Sequence, residues 1–505
     1  MVKKNGARQM SNWRILSSRT VQNRSGRTAL FREDGRVEEI AMPKGNTFFI
    51  VFGTNVVKIY NAAGTLVFNS GAVYPWTLAT IGGITYAIIG YSIYIAYPDG
   101  APNNIPQVLT WDGISQTSTW TIAGYAETLT AGGQKRTAFY RLSPPNITMQ
   151  PSATTGIVTL TFSGNVLVSG MIGTRFEFAG RQLVLTGVSS PTSGTATVIE
   201  PLPPAQTLTL SAPVGTFNVG DDVQGSISGA QGIVTGSATT QQIYTSLAMP
   251  NIHIGDAVSG GTSGATGTVT AVHFFGGQNP NITVHLSTGT LFQSGEVVTD
   301  TTTSATFTSG NVSAGGLTVQ ILATASGFIK TFTTSDLVVG PSGSSAISAV
   351  TTIAPQPIAV WDDEVMNTFR GYPSSVFADQ SRLGFCNVLA VPSAIIWSAI
   401  GLPTDLYTAA LPDNSIFELA PDQSQVFYVI PGMESSEFVF TDRAIYYIPI
   451  GGPLGQNPLV PGSVAFNKIA SYGIAPNVQP RRAEQSIVHI RAGGGQVGAV
   501  QVPGA

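Results

Sequence analysis

Five side chains are the natural starting points for metal binding or nucleophilic catalysis: His253, His273, His285, His489 and Cys386. No histidine pair has the His-x3-His or His-Glu-x2-His spacing that brings two ligands to one metal. A single cysteine excludes an intramolecular disulfide and a multi-cysteine zinc site. Because Cys386 lies in the apolar run 383–389, we predict a buried and unreactive thiol. The sequence therefore predicts no transition-metal site.

The densest acidic cluster is formed by Asp362, Asp363 and Glu364. Paired carboxylates can cleave glycosidic bonds, but three consecutive residues on a strand or turn point in different directions. We therefore interpret this cluster as a solvated turn. Neither a phosphate-binding Gly-rich loop nor a Gly-x-Ser-x-Gly nucleophile elbow occurs. We expect no catalytic residue, no cofactor and no enzymatic activity.

A second group of acids recurs within an internal repeat of the middle of the chain. Each copy has a glycine followed by an acid, and then an alanine at a fixed distance: Gly220-Asp221 with Ala230, Gly255-Asp256 with Ala265, and Gly295-Glu296 with Ala305. A weaker relative ends at 193–198. Calcium needs about six to eight oxygen ligands, and one carboxylate per repeat falls short. We interpret the repeat as one β-hairpin unit used three times, available to a partner or a host glycan.

Short runs rich in Val, Ile, Phe and Tyr surround this repeat region on both sides. From Thr47 onward, such runs are separated by turn signals such as Asp99-Gly100 and Asp112-Gly113, and the same rhythm returns after Pro357. No stretch here has the length and pattern of an amphipathic helix. Antiparallel strands that follow one another in this way are typical of the meandering sheets of a propeller.

These patterns predict an all-β chain with an interrupted β-propeller-like main domain. Residues 1–145 and 358–505 form its two halves, and 146–357 form an inserted module of small β repeats. At about 40–50 residues a blade, the roughly 290 remaining residues indicate about six blades. The last blade is expected to be closed by an early strand. A two-sheet β-sandwich is the alternative.

Composition favours a surface that partner subunits cover. Only 10% of the 505 residues are charged, so few charges keep this surface apart from its neighbours. A secreted β-rich adhesin is the alternative, because its composition can be the same. The N-terminus has no apolar segment typical of a secretory signal, and the longest uncharged stretch, 81–98, is too short and broken for a membrane helix. We expect no membrane span and assembly in a cytoplasm-like compartment.

Basic residues concentrate in the first 36 positions, which hold nine of the 24 lysines and arginines. Such a segment can contact phosphates or an acidic partner, or form a solvated basic arm. Candidate subunit or adaptor contacts are the arginines of this segment: Arg8, Arg14, Arg19, Arg24, Arg27, Arg32 and Arg36.

One segment of the second half, 361–401, carries a motif that is specific enough to compare with known proteins. Its residues are Gly371, Tyr372, Pro373, Val376, Phe377, Gln380, Arg382 and Leu383, followed by Pro392, Ile396, Trp397, Ser398 and Gly401. Two later stretches agree: 438–448, which contains Asp442 and Arg443, and 471–480. Together they resemble the tail nozzle (tail tubular, hub-type) proteins of short-tailed bacteriophages. The resemblance covers 355–500 well and 11–130 loosely.

The resemblance implies a structural virion protein of the phage tail, assembled in the host cytoplasm. It implies a homo-hexameric ring that docks to an adaptor ring, carries tail fibre proteins and lets double-stranded DNA pass during ejection. Arg481 and Arg482 are candidates for the lumen or for a contact between subunits. The alternative is a tail-associated protein that binds or depolymerises carbohydrate, with Trp76, Trp111 and Trp120 as candidate sugar-stacking residues.

Overall fold

The computed structural model describes residues 13–15, 21–23, 30–210, 214–215, 217–237, 240–245, 252–273, 281–287, 290–312, 316–324, 327–432, 436–450, 459–483 and 486–501. These residues form 41 strands and four short 3-10 helices: Pro43–Gly45, Ile81–Gly83, Ser169–Met171 and Pro421–Gln423. The predicted all-β class is thereby confirmed. Among the described residues, no helix is long and apolar enough to span a membrane.

The first part of the chain forms two four-stranded antiparallel sheets after a separate hairpin of β1 (Trp13–Ile15) and β2 (Val21–Asn23). Blade 1 consists of β3 (Arg36–Met42), β4 (Asn46–Gly53), β5 (Val56–Asn61) and β6 (Leu66–Asn69). Blade 2 consists of β7 (Thr85–Ile89), β8 (Ser92–Ala96), β9 (Gln107–Trp111) and β10 (Trp120–Gly124). Tight turns such as Gly90-Tyr91, where Gly90 has a φ of 58°, connect neighbouring strands.

Three further sheets follow the inserted region. Blade 3 consists of β31 (Pro373–Asp379), β32 (Arg382–Val388), β33 (Val391–Trp397) and β34 (Ile416–Leu419). Blade 4 consists of β35 (Val426–Pro431), β36 (Ser436–Thr441), β37 (Ile445–Pro449) and β38 (Asn467–Ala470). Blade 5 has three described strands, β39 (Arg481–Ala483), β40 (Ser486–Ile490) and β41 (Val497–Val500).

The five sheets form a β-propeller whose blades begin with their innermost strands. Separate apolar clusters join blade 1 to blade 2, blade 2 to blade 3, blade 3 to blade 4 and blade 4 to blade 5. These contacts between blades bury large apolar side chains, and each fully buried one contributes roughly 1.5–3 kcal/mol to stability. The interrupted propeller is confirmed and the sandwich is not needed.

The number of blades is five rather than about six. The chain outside the insertion also contains long connections, such as 125–138 and 398–415, that add no further four-stranded sheet among the described residues. None of the described early strands pairs with blade 5. Instead, blades 5 and 1 meet through an ion pair of 2.8 Å between Arg481 Nη2 and Glu38 Oε1.

The inserted region begins with a sheet that we call the first barrel. Its strands are β11 (Phe139–Tyr140), β12 (Met149–Pro151), β13 (Ile157–Phe162), β14 (Arg175–Phe178), β15 (Arg181–Ser190), β16 (Ser193–Val198) and β30 (Trp361–Glu364). Two backbone hydrogen bonds between Met149 of β12 and Ile358, which precedes β30, close this sheet.

The second barrel is inserted into the first, between β16 and β30. Its strands are β17 (Ala205–Leu210), β18 (Val214–Gly215), β19 (Asp222–Gly225), β20 (Gln231–Ser237), β27 (Gly316–Ile321), β28 (Leu337–Val339) and β29 (Gly343–Ile353). Pairing of β17 with both β27 and β29 closes it.

The third barrel is inserted in turn into the second, between β20 and β27. Its strands are β21 (Thr240–Thr245), β22 (Ala257–Gly260), β23 (Thr266–His273), β24 (Asn281–Leu286), β25 (Val297–Asp300) and β26 (Thr306–Val312). Its strand order, β21-β24-β23-β22-β25-β26, matches that of the second barrel, β17-β27-β20-β19-β28-β29. The two barrels also share one hydrophobic cluster. The internal repeat therefore reflects one barrel topology used twice.

Candidate functional site

The motif segment 371–401 builds most of blade 3, and Arg382 is its most buried charged side chain. Only 1% of this residue is exposed. Its guanidinium donates hydrogen bonds to the carbonyls of Ser398 and Asn414 at 2.6 Å each, of Pro412 at 2.9 Å and of Leu459 at 3.3 Å. Arg382 thereby joins its own hairpin, the connection before β34 and a segment after β37. Arg382 therefore stabilises the interior of the propeller and is not available at the surface to bind a partner.

Three further motif residues lie close to Arg382: Leu383, Ser398 and Gly401. The Ser398 hydroxyl accepts a hydrogen bond of 2.9 Å from the Leu383 N–H, and Leu383 is fully buried. Gly401, with a φ of 70°, donates its N–H to the Ser381 carbonyl at 2.8 Å. Gln380 precedes Ser381, and both have positive φ values in the two-residue turn between β31 and β32. These motif residues shape the backbone of blade 3.

Trp397 binds a buried carboxyl group that the sequence pattern did not single out. The Trp397 indole N–H donates to Glu437 Oε2 at 3.0 Å, and both residues are fully buried. Burial, and then the neighbouring Asp379 carboxyl, raise the pKa of Glu437 well above its usual value. The pKa of Asp379 is also raised by burial. The two carboxyls lie at the joint between blades 3 and 4.

The Gly371-Tyr372-Pro373 part of the motif connects blade 3 to blade 2. The Tyr372 N–H donates to the Gly100 carbonyl at 2.8 Å, and Pro373 begins β31. Gly371 has a φ of 85°, and a Cβ atom there would lie 2.8 Å from the Gly100 carbonyl oxygen and 2.5 Å from Leu389. Only glycine fits this position without displacing its neighbours.

Asp442 and Arg443 form a turn in blade 4. The Asp442 carboxylate accepts a hydrogen bond of 2.9 Å from the Gln425 N–H, which ties the turn to the start of the blade. Arg443 lies 3.3 Å from Asp442, and 67% of its side chain is exposed. Asp442 is thus a backbone cap, whereas Arg443 is available at the surface.

The candidate lumen residues Arg481 and Arg482 lie at the axis of the propeller. They line a cavity of about 320 Å³ together with residues of the innermost strands, including Tyr86, Phe377 and Ile430. Arg481 is paired with Glu38, while Arg482 is exposed. The structure thus brings the pair to the axis of a single chain, and it does not test a contact between subunits.

The structure describes only part of the basic N-terminal segment. Arg8, Arg19, Arg24 and Arg27 lie outside the described residues, and Arg14 lies in β1, whose side chains are not described. Arg32 is exposed. Arg36 is used within the propeller, because it donates 2.8 Å and 2.6 Å hydrogen bonds to Glu38 and to the Ile84 carbonyl.

The interpretation of the acidic cluster 362–364 as a solvated turn was wrong. These residues form β30 in the first barrel, and Asp363 and Glu364 are buried. Arg370 lies 2.5 Å from Asp363, and Lys135 lies 2.6 Å from Glu364. Burial raises the pKa of Asp363 to about 6, although Arg370 opposes the shift. The pairing cations come from other segments of the chain, so the local sequence did not reveal them.

The repeated glycine-acid steps close hairpin turns by hydrogen bonding. Asp221, Asp256 and Glu296 each accept a hydrogen bond from the backbone N–H three residues earlier, at 2.8, 2.6 and 2.5 Å. The three preceding glycines have φ values of 98°, 98° and 83°. Each repeat forms an antiparallel hairpin, as predicted.

The structure adds a fourth copy at Asp336, where Ser335 replaces the glycine that the pattern requires. Its carboxylate accepts from the Thr333 N–H and also from Ile227 and Ser228, each at 2.7–2.8 Å. Burial alone acts to raise the pKa of Asp336, but these backbone donors outweigh it and lower the pKa to about 2. An acid of one hairpin thus caps the turn of another.

The cysteine and the histidines do not converge. Cys386 is fully buried in the joint between blades 3 and 4, and burial raises the pKa of its thiol to about 12. Three histidines belong to the third-barrel region, while His489 is buried in blade 5. In the part of the chain that the structure describes, no three or more His, Cys, Asp or Glu side chains form a group that could hold a metal ion.

The structure also contains a cleft with charged residues in its walls, which the sequence did not indicate. Its walls include Arg136, Arg181, Glu200 and Tyr407, and its volume is about 910 Å³. These residues come from the connection after blade 2, the first barrel and the connection before β34. They show no common spacing, so no local signal could have found them.

Neither a protein family model nor a curated protein matches this chain. Among solved structures, it is similar to the extracellular domain of the hybrid two-component system BT3049 of B. thetaiotaomicron, with 9% identity and a TM-score of 0.17. That alignment covers 92% of this chain and 50% of the other. It is also similar to the endosialidase of phage phi92, with 10% identity, a TM-score of 0.14 and coverage of 80% and 60%. At these scores, neither similarity supports an argument about function.

Proposed function

We propose that this chain is a structural protein of a virion tail, which forms the nozzle ring of a short-tailed bacteriophage and conducts genomic DNA during ejection. Its partners are further copies of itself, an adaptor ring and tail fibre proteins. The chain carries no chemistry in this proposal. Its task is to hold a rigid shape.

The observation that supports the proposal is the role of the motif residues. Arg382, Trp397 and Gly371 each join segments that are distant in the sequence, as described above. A motif that resembles the nozzle family therefore acts as the internal frame of blades 3 and 4. This is the behaviour expected of a motif that specifies an architecture and not a catalytic reaction.

Charge is consistent with a DNA conduit. A lumen that neutralised many phosphates would hold the DNA by counterion release and slow its passage. The chain has 24 basic and 27 acidic residues in total, and therefore no excess of positive charge. A weakly charged channel allows DNA to pass without tight binding.

Negative-stain imaging and mass measurement of the purified chain, alone and with the adaptor protein, test the proposal. We expect a closed six-fold ring, either from the chain alone or only after the adaptor is added. A monomer or trimer under both conditions would overturn the nozzle assignment.

The basic N-terminal segment is proposed to contact a neighbouring subunit or the adaptor. Removal of residues 1–29 keeps Glu33 and its 2.8 Å ion pair with Lys58, so the contacts of blade 1 remain. We expect this truncation to prevent ring assembly and to leave the thermal midpoint of the monomer unchanged. Normal ring assembly by the truncated chain would contradict this role.

A further inference from the structure

We propose that the cleft lined by the propeller, the first barrel and the second barrel binds a neutral saccharide. Its volume of about 910 Å³ lies in the range of about 300–1,000 Å³ that is usual for small-ligand sites. The proposal concerns a binding site on a single chain, so it does not depend on ring formation.

Four regions of the fold position the walls of the cleft, one of which, with Ala323 and Gly327, lies between β27 and β28 of the second barrel. Arg181 and Gln182 begin β15, and Glu200 follows β16 in the first barrel. Arg136 follows blade 2, and Tyr407 lies in the connection between β33 and β34 of blade 3. Backbone hydrogen bonds of 2.8 Å, from Leu406 N–H to the Arg136 carbonyl and from Thr128 N–H to the Thr404 carbonyl, fix these connections to each other. The cleft is therefore built on ordered segments.

The charges in the cleft are paired, which favours an uncharged ligand. Arg136 Nε lies 3.0 Å from an Asp405 carboxylate oxygen, and Arg181 forms an ion pair with Glu200. Each guanidinium charge is thus balanced by a carboxylate, so these ion pairs leave no unpaired positive charge to attract a polyanion. A neutral ligand can bind without breaking either pair.

Hydrogen-bonding groups remain for a ligand rich in hydroxyls. Arg136 uses only Nε in its hydrogen bonds among the described residues, so its terminal nitrogens can donate to a ligand. The Tyr407 hydroxyl donates to Glu177 Oε1 at 2.7 Å and can still accept. Saccharide hydroxyls donate and accept, so they match this mixture of groups.

Burial raises the pKa of Glu177 to about 7, with the Tyr407 hydrogen bond opposing the shift. Glu177 does not line the cleft but contacts the lining residue Tyr407, and near neutral pH its carboxyl group carries less than a full negative charge.

Apolar side chains lie in the cleft and next to it in the chain. Gly327 lines the cleft, and Phe328 directly after it is 66% exposed and makes no ring contact among the described residues. Leu411, another lining residue, is 63% exposed. Sugar rings have apolar faces that pack on aromatic rings, and the proposal assigns this contact to Phe328, which follows the lining residue Gly327 in the chain.

The test is titration of the full-length protein with neutral hexasaccharides of glucose, galactose and mannose, and with hexamers of sialic acid and galacturonic acid, at 50 and 500 mM NaCl. We expect at least one neutral probe to bind with an affinity that salt does not change, because no net charge is involved. Phe328→Ala removes only an exposed side chain and should weaken binding by about tenfold. Tyr407→Phe should also weaken it.

Tyr60→Phe is the matched control, because Tyr60 also donates its hydroxyl to a glutamate, Glu33, but in blade 1. The Tyr60→Phe variant should bind the neutral saccharide with the same affinity as the unmodified chain. The proposal is overturned if no neutral probe binds up to 10 mM, if binding is confined to the acidic hexamers, or if Phe328→Ala and Tyr407→Phe bind as tightly as Tyr60→Phe.

Discussion

Buried acidic side chains behave in opposite ways in the second barrel and in the propeller. In the barrel, Asp336 accepts hydrogen bonds from three backbone N–H groups, which keep its pKa low despite burial. In the propeller, Glu437 accepts hydrogen bonds from the Trp397 indole and lies beside another carboxyl, so burial prevails and raises its pKa. The comparison indicates that hydrogen-bond donors and neighbouring charges, and not burial alone, set the pKa of a buried carboxyl group.

The acids of the second barrel and of the propeller also differ in where their hydrogen-bond donors lie in the sequence. The barrel acids belong to a local turn, whose donors lie a few residues away or in an equivalent hairpin. In the propeller, Glu437 belongs to blade 4 and its donor Trp397 belongs to blade 3. We therefore expect the barrels to tolerate the loss of one cap, and the propeller to depend strongly on single side chains.

The largest expected effect is in the propeller. Arg382→Met should lower the free energy of unfolding by about 3–5 kcal/mol, because it leaves buried carbonyls without donors. Urea unfolding followed by tryptophan fluorescence measures the change. Arg443→Met, at the surface of blade 4, should stay within about 0.5 kcal/mol of the unmodified chain. Equal effects of the two variants would show that the hydrogen bonds of Arg382 are not needed for stability.

The second effect is in the second barrel. Asp336→Asn weakens the cap of the neighbouring turn and should cost about 1–3 kcal/mol at pH 7. Asp222→Asn, at an exposed position in the same barrel, is the control and should have little effect. Because the pKa of Asp336 is lowered, its stabilisation is complete above about pH 4 and is lost as pH falls through about 2. An equal cost of Asp336→Asn at pH 7 and pH 2 would contradict this mechanism.

A smaller change is expected for Glu437→Gln, since glutamine can still accept the Trp397 hydrogen bond. The folded-state pKa of Glu437 is raised, so its protonated form stabilises the fold at low pH, and this contribution is lost as pH rises above the unfolded value near 4.5. Asp379, Trp397 and Arg382 face this group. The variant should match the unmodified chain at pH 4 and have the higher thermal midpoint at pH 8. A constant difference across this range would exclude Glu437 as the titrating group.

The smallest effect is expected where blades 5 and 1 meet. The Arg481 side chain is 56% exposed, so its ion pair with Glu38 contributes at most about 1 kcal/mol. Arg481→Ala should reduce stability slightly at low salt and not at 500 mM NaCl, as chemical denaturation can show. A loss above about 2 kcal/mol would mean that this polar joint holds the propeller as strongly as the apolar joints do.

Much of the fold could be predicted from local patterns. Alternating apolar residues and Gly-containing turns indicated strands, and the constant spacing from Gly220 to Ala230 and from Gly255 to Ala265 indicated a repeated hairpin. The fourth copy at Asp336 was missed because it lacks the glycine. The blade number was overestimated because residue counts do not distinguish strands from long connections.

The sequence predicted the candidate sites less well than it predicted the fold. Trp76, Trp111 and Trp120 are all buried between blades 1 and 2, so they pack in the core and do not offer sugar-stacking surfaces. The nozzle role stays a prediction that the ring-assembly experiment can decide.

By itself, the sequence determined the strand content, the turns and the interruption of the propeller, because these depend on interactions between residues that are near one another in the chain. Only the tertiary structure decided which charges are buried and what they contact. Glu177 meets Tyr407 across 230 positions, and Asp363 and Glu364 find their cations in other segments. Pairing over such distances depends on how sheets pack, and no local spacing encodes it.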